Sequence, residues 1–172
     1  MQYNLLIDDI KIRNQKQSDE PVIQELIAGA FHRNTIVREV RAVDILRKNV
    51  QWLQEFCFVA EYKKSILGVV RCFQVVLPSG TAVPMLGPIA VKEGYRCVGM
   101  GRALIEKSLS IMRKGEKGVL IIGDKEYYKS YGFTEKIVQG IYVQGAIKPL
   151  SFMGLEFENN ILKAERGQLR HG

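Results

Sequence analysis

Residues 86–101, LGPIAVKEGYRCVGMG, constrain the fold of this 172-residue chain more than any other stretch. A short apolar run ends in a basic residue and then in two closely spaced glycines, Gly99 and Gly101. An amphipathic helical pattern, GRALIEKSLSIMRKG, opens at once behind them. That order predicts a strand, a glycine-permissive turn and a helix, with bare backbone N–H groups at the positive end of the helix dipole. Such an end holds a phosphate or pyrophosphate without many cationic side chains. The spacing Arg96-x-x-Gly99-x-Gly101 differs from the dinucleotide fingerprint, and it is not a P-loop because no Gly-Lys-Ser/Thr follows. A plain strand-to-helix turn also uses glycine, so the spacing alone leaves both readings open.

A second segment lies beyond that helix. In VLIIGDKEYYKSYGF, residues 119–133, the buried-strand run Val119–Ile122 leads through a polar segment to Tyr127, Tyr128, Tyr131, Gly132 and Phe133. The two segments together resemble the Q/R-x-x-G-x-G/A element and the YxKxGF ending of the GNAT superfamily of acyl-CoA-dependent N-acetyltransferases. The phrases LGPIAV, GDKEYY, YGF and FMGLEF are most similar to the YhbS-like branch of that family.

The resemblance implies a single α/β domain with a mixed, mostly antiparallel sheet, splayed centrally and flanked by helices. It implies acetyl-CoA as co-substrate, with the pantetheine arm lying in the gap between two parted strands. By position, the N–H groups of Val98, Gly99, Met100, Gly101 and Arg102 would point at the pyrophosphate. Arg96 would bond a phosphate or brace the loop, and Arg102 would add charge or face solvent. Ile89, Ala90 and Val91 fall on the strand whose backbone pairs with pantetheine, and an N–H near Ile89 would hold the oxygen of the thioester carbonyl as it gains charge. Core packing alone would also account for those three side chains.

Tyr128 stands four residues before Gly132, as the family's tyrosine does before its glycine. Its chemistry fits: a phenol of pKa about 10 stays protonated at neutral pH and can donate to a departing thiolate, whose conjugate acid has a pKa of about 8.5. The attacking amine must lose a proton, yet no motif marks a base. Glu61 is a weak candidate beside the cofactor strand, Glu93 is another, and water is an equal alternative. His32 reads as a surface or helix-capping residue. Cys97 belongs to the phosphate loop, away from the thioester end, and is not expected to carry an acyl group.

Composition limits the alternatives. One domain over residues 1–172 is expected, with a tail flexible from about residue 164. The net charge of +7 comes from basic residues scattered along the chain, with no block of like charge and no zinc-finger or recognition-helix pattern. A solvated basic surface, useful for capturing a polyanionic cofactor, is therefore expected in preference to nucleic-acid binding. No apolar run approaches the roughly 18 residues of a membrane span. Three cysteines without metal-like spacing suit a reducing cytoplasmic setting, and no metal is expected. A homodimer is compatible with the family but has no visible seam.

Strands are expected at 10–13, 55–62, 66–76, 81–91, 133–138, 141–143 and 151–157. Gly87-Pro88 should force a bulge or splay in the fourth of these, because proline cannot donate to a ladder. Helices are expected from Ser18 or Asp19 through Phe31, with Val22, Ile23, Leu26 and Ile27 on one face, and over 38–50. The leading functional reading is acetyl transfer to a primary amine of a small molecule by direct attack in a ternary complex. A protein amine, a different acyl donor, and a non-catalytic acyl-CoA sensor are the alternatives. Acceptor choice would rest on the loops near 31–38 and 139–149.

Overall fold

The computed structural model describes residues 9–31, 46–144 and 152–172. Its strands are β1 (Lys11–Asn14), β2 (Phe58–Tyr62), β3 (Ser65–Val76), β4 (Ala82–Val91), β5 (Gly118–Ile122), β6 (Ile141–Val143), β7 (Phe152–Glu156) and β8 (Gly167–His171). The sheet order is β1-β2-β3-β4-β5-β7, with β8 on the edge of β3 and β6 beside β8. Helix α1 (Glu20–Phe31) packs Ile23 against Val59, Val69 and Ala90 on one face. Helix α2 (Met100–Met112) packs Leu104, Ile105 and Leu109 against Phe58, Ala60, Val70 and Cys72 on the other. A third helix, α3 (Lys125–Lys129), follows β5. This is the expected α/β architecture with a mixed, mostly antiparallel sheet.

Local chemistry explains most of the elements. The β2–β3 hairpin turns on Lys63 and Lys64, whose φ values of +46° and +66° give the left-handed pair that a two-residue hairpin loop needs. A one-residue excess in β4 opposes β3 between the pairs Val70–Ile89 and Cys72–Leu86, which places the bulge at Gly87-Pro88. The proline thus interrupts the ladder where its missing N–H costs nothing. Gly68 faces α2: a Cβ there would stand 2.9 Å from the Met100 sulfur, so the helix lies close on the sheet.

Several expectations are corrected. The strand expected from residue 55 begins at Phe58, because Gln54–Phe56 form a 3-10 turn that drops Phe56 into the core. Residues 133–138 make only one bridge, Thr134 to Gly154. The two apolar residues at their end, Ile137 and Val138, lie against Gly154 instead of extending a ladder. Residues 167–171, expected within a flexible tail, form β8, pairing Val75 with His171 on the edge of β3 that β2 leaves open. Of the helix expected at 38–50, residues 38–45 lie outside the described residues, as does His32. Leu46 is buried, and Asn49 turns the chain with a φ of +62°.

Arg71, one of the basic residues that the sequence scatters along the chain, is fully buried in β3 on the α1 face. Its Nε donates to Gln15 Oε1 at 3.0 Å, and its two terminal nitrogens pair with the Glu20 carboxylate at the start of α1. The guanidinium carbon lies 4.6 Å from the centre of a Trp52 ring. An arginine is tolerated inside the domain because each of its three nitrogens meets an acceptor, the Glu20 carboxylate offsets its charge and the Trp52 ring lies beside the cation.

Candidate active site

The site begins where the sheet parts. β4 and β5 run parallel but pair only at Met85–Leu120 and Leu86–Ile121. Beyond Leu86, β4 continues to Val91 with β3 on one edge and, among the described residues, no strand on the other. The Lys92 N–H donates to the Leu67 carbonyl at 2.7 Å, and the register pairs Ala90 with Val69. In an antiparallel ladder the bonding direction alternates, so Ala90 bonds towards β3 while Ile89 and Val91 present their backbone groups to the gap. Of the three strand residues expected to offer their backbone, Ile89 and Val91 are so placed. Ala90 is committed to β3, and its side chain, 3% exposed, packs under α1.

At the end of β4 the chain turns into α2. Gly94, Cys97 and Gly99 all take positive φ values, of 86°, 65° and 84°, which folds the loop tightly. Gly99 is the residue before α2, and no side chain caps the helix there. Among the described residues, the N–H groups at the helix start therefore have neither an intrahelical partner nor a side-chain cap. Val98, Gly99, Met100, Gly101 and Arg102 are brought together as expected, although the Met100 side chain is buried under the sheet. Arg96 braces the loop, its Nε reaching the Val91 carbonyl at 3.4 Å. Arg102 is exposed and pairs with Glu106 at 3.2 Å. On the α1 side of this strand end lies a pocket of about 250 Å³, bordered by Leu26, Ala30, Ile66, Val91 and Arg96.

Helix α3 forms the other lip of the gap. Asp124 caps it, its Oδ1 accepting from the Glu126 and Tyr127 N–H groups at 2.9 and 3.2 Å. The Tyr128 ring folds back over Gly123, the residue after β5, and meets Phe133 edge-on at 6.1 Å. Burial pushes the Tyr128 phenol well above its ordinary pKa, with Tyr127 and Asp124 adding to the effect. It is thus a neutral donor across the working pH range. Its hydroxyl makes no hydrogen bond to a described residue, whereas Tyr131 donates to Tyr127 at 3.2 Å. Gly101, Val91 and the Tyr127 hydroxyl converge: a Cβ on Gly101 would lie 3.3 Å from that oxygen and 3.8 Å from a Val91 methyl.

Glu61 is not brought to this place. It lies on β2, with β3 between it and β4, and its carboxylate accepts from Arg13 Nε at 2.8 Å. Glu61 was expected on the strand beside the cofactor strand, but β3 intervenes and the ion pair with Arg13 turns its carboxylate toward β1, away from β4. Among the described residues, no group of three or more His, Cys, Asp or Glu stands together as a metal-binding set. Gly123 was missed in the sequence, where a glycine after a strand reads as an ordinary turn. The Tyr127–Tyr131 pairing was missed as well, because an apolar face accounted for both rings.

The arrangement offers donors for a polyanion, a free strand edge for an extended amide chain, and a neutral phenol beside the gap. Residues 54–135, which hold most of it, match the family model described as an acetyltransferase (GNAT) domain. The fold is similar to that of a GNAT family N-acetyltransferase, YhbS, from Escherichia coli in complex with CoA, at a TM-score of 0.76 and 22% identity over 95% of this chain and 90% of that one. It is similar too to a GNAT family acetyltransferase from Brucella melitensis in complex with acetyl-CoA, at 0.68 and 23% over 95% and 96% of the two chains. Arabidopsis thaliana Naa50, in complex with the bisubstrate analogue CoA-Ac-MVNAL, follows at 0.54 and 19%, over 86% and 97%. No curated protein matches the chain. The splayed strand and the glycine turn thus fall within the segment, residues 54–135, that matches a GNAT acetyltransferase domain, and the whole fold is similar to that of GNAT family acetyltransferases.

Proposed function

We propose that this protein transfers an acetyl group from acetyl-CoA to a primary amine of a small molecule, by direct attack in a ternary complex. The observation that carries the reading is the open edge of β4: Ile89 and Val91 face a gap that leads straight to the uncapped start of α2. One extended ligand with an anionic end and an amide-bearing arm fits both features, and acetyl-CoA is such a ligand. The N–H groups of Val98 to Arg102 hold the pyrophosphate, and the edges of Ile89 and Val91 pair with the pantetheine amides.

The Ile89 N–H opposes the negative charge that grows on the carbonyl oxygen. The amine nitrogen attacks the carbonyl carbon, the C–N bond forms and the C–S bond breaks. The Tyr128 phenol gives its proton to the departing sulfur and regains one from solvent, while water takes the proton that the amine loses. Glu61, held by Arg13 elsewhere on the sheet, has no part in this scheme. Three free cysteines support a reducing, cytoplasmic setting.

A protein or peptide amine is the second reading, favoured by the bisubstrate peptide analogue bound to the Arabidopsis protein of similar fold. Calorimetric titration with acetyl-CoA, CoA and dephospho-CoA tests the common part of both. Saturable binding of about one equivalent is expected, and no binding of either CoA form overturns acetyl transfer. Thiol release with small amines, set against peptides with free N-termini, then separates the acceptors.

A further inference from the structure

The three tyrosines of α3 divide between two tasks, and only Tyr128 is used by the scheme above. We propose that the Tyr127 hydroxyl, backed by Tyr131, is a hydrogen-bond donor to the diphosphate bound at the start of α2. This rests on the acetyl-CoA reading and adds a ligand contact to it.

Tyr127 is 44% exposed, an unusual setting for a ring so closely held. It stands edge-on to Tyr128 at 5.0 Å and to Tyr131 at 5.6 Å, so its direction is set by packing on two sides. Its oxygen lies beside Gly101, the second residue of α2 and the place where the unpaired N–H groups converge. Tyr131 donates to that oxygen at 3.2 Å, which fills an acceptor position and leaves the Tyr127 proton for a further partner. No other hydrogen bond of the Tyr127 hydroxyl is made within the described residues. A hydroxyl that is itself receiving a bond is a better donor, because the two dipoles reinforce each other.

The surroundings favour an anion as that partner. Arg102 lies close enough to Tyr131 to act on its phenol, and the helix start contributes its own positive end. The glycine at position 101 now has a cause beyond backbone approach. Any side chain there would press on the Tyr127 oxygen and close the space in which a phosphate oxygen would sit between phenol and helix.

The test uses Tyr127→Phe and Tyr131→Phe in the full chain; both keep the ring and its packing, so the melting temperature should hold. Calorimetric affinities are measured for CoA and for ADP, a probe that has the diphosphate but no pantetheine. Tyr127→Phe should weaken both about tenfold, and Tyr131→Phe about threefold, because it removes only the support. In the transferase assay the loss should fall on KM for acetyl-CoA and not on kcat. Unchanged affinity in Tyr127→Phe overturns the proposal. A loss confined to CoA, with ADP unaffected, also overturns it by moving the contact to the pantetheine arm. If the wild-type protein binds no CoA, the acetyl-CoA reading itself fails, and that outcome is visible before any variant is made.

Discussion

Gly123→Ala probes the tyrosine most directly without touching it. Gly123 does not take a positive φ, so alanine fits the backbone, and the nearest obstacle is the Tyr128 ring. An added Cβ would stand 2.3 Å from Cε2, 3.1 Å from Cδ2 and 3.3 Å from Cζ of that ring. Relief to ordinary contact moves the ring edge next to the hydroxyl by about 1 Å, and a misplacement of that size costs about 100-fold in rate. The expected fall in kcat is therefore about 100-fold, or about 2.7 kcal/mol of barrier. Overpacking should also lower stability by about 1–3 kcal/mol. The assay is thiol release at saturating acetyl-CoA, with calorimetric CoA affinity and urea unfolding alongside. Tyr128→Phe should show a similar loss of kcat with CoA affinity intact, and the double variant should lose little more, since both act on one hydroxyl. Wild-type kcat in Gly123→Ala, with Tyr128→Phe impaired, would refute the positioning argument. Wild-type kcat in both would remove Tyr128 from the acid role.

Two further predictions concern the supports of the domain. The Arg71 side chain is fully buried while that of Glu20 is 45% exposed, so the two halves of the pair should not be equivalent. Glu20→Ala strands a buried guanidinium and should cost about 3 kcal/mol in urea unfolding, whereas Arg71→Met fills the space and lets Glu20 turn to water, for less than about half of that; the opposite order would refute the reading. Asp19 accepts from Arg13 Nη1 at 2.7 Å, from Arg13 Nη2 at 3.1 Å and from the Lys16 N–H at 2.7 Å, and the Arg13 bonds chiefly hold its carboxyl below the usual range. A lowered folded pKa means that this stabilisation is present above the unfolded value, near 3.8, and is lost as pH falls through the folded one. Asp19→Asn should then be about 2 kcal/mol less stable at pH 7 and lose less on acidification below about pH 4. Parallel melting curves for the two proteins between pH 7 and pH 3 would contradict it.

The strand, glycine turn and amphipathic helix of residues 86–112 were legible because each depends on neighbours a few positions away. The bulge at Gly87-Pro88 was legible for the same reason, since a missing N–H acts wherever proline stands. Tyr128 could be singled out by its spacing to Gly132, but its protonation state depends on burial against Phe133 and over Gly123, contacts that arise only when α3 folds back. The difference between Ala90 and its neighbours Ile89 and Val91 could not be read, because the direction of each N–H follows from the register with β3. Arg71 looked like one more surface cation until Glu20 and Gln15, some fifty residues earlier, were brought against it. Local order along the chain thus specified the elements and the glycine turn. Which edge of β4 is open, which arginine is buried and which phenol faces the gap were decided by tertiary pairing, since hydrogen-bond direction, desolvation and charge compensation are properties of residues that meet only in the folded domain.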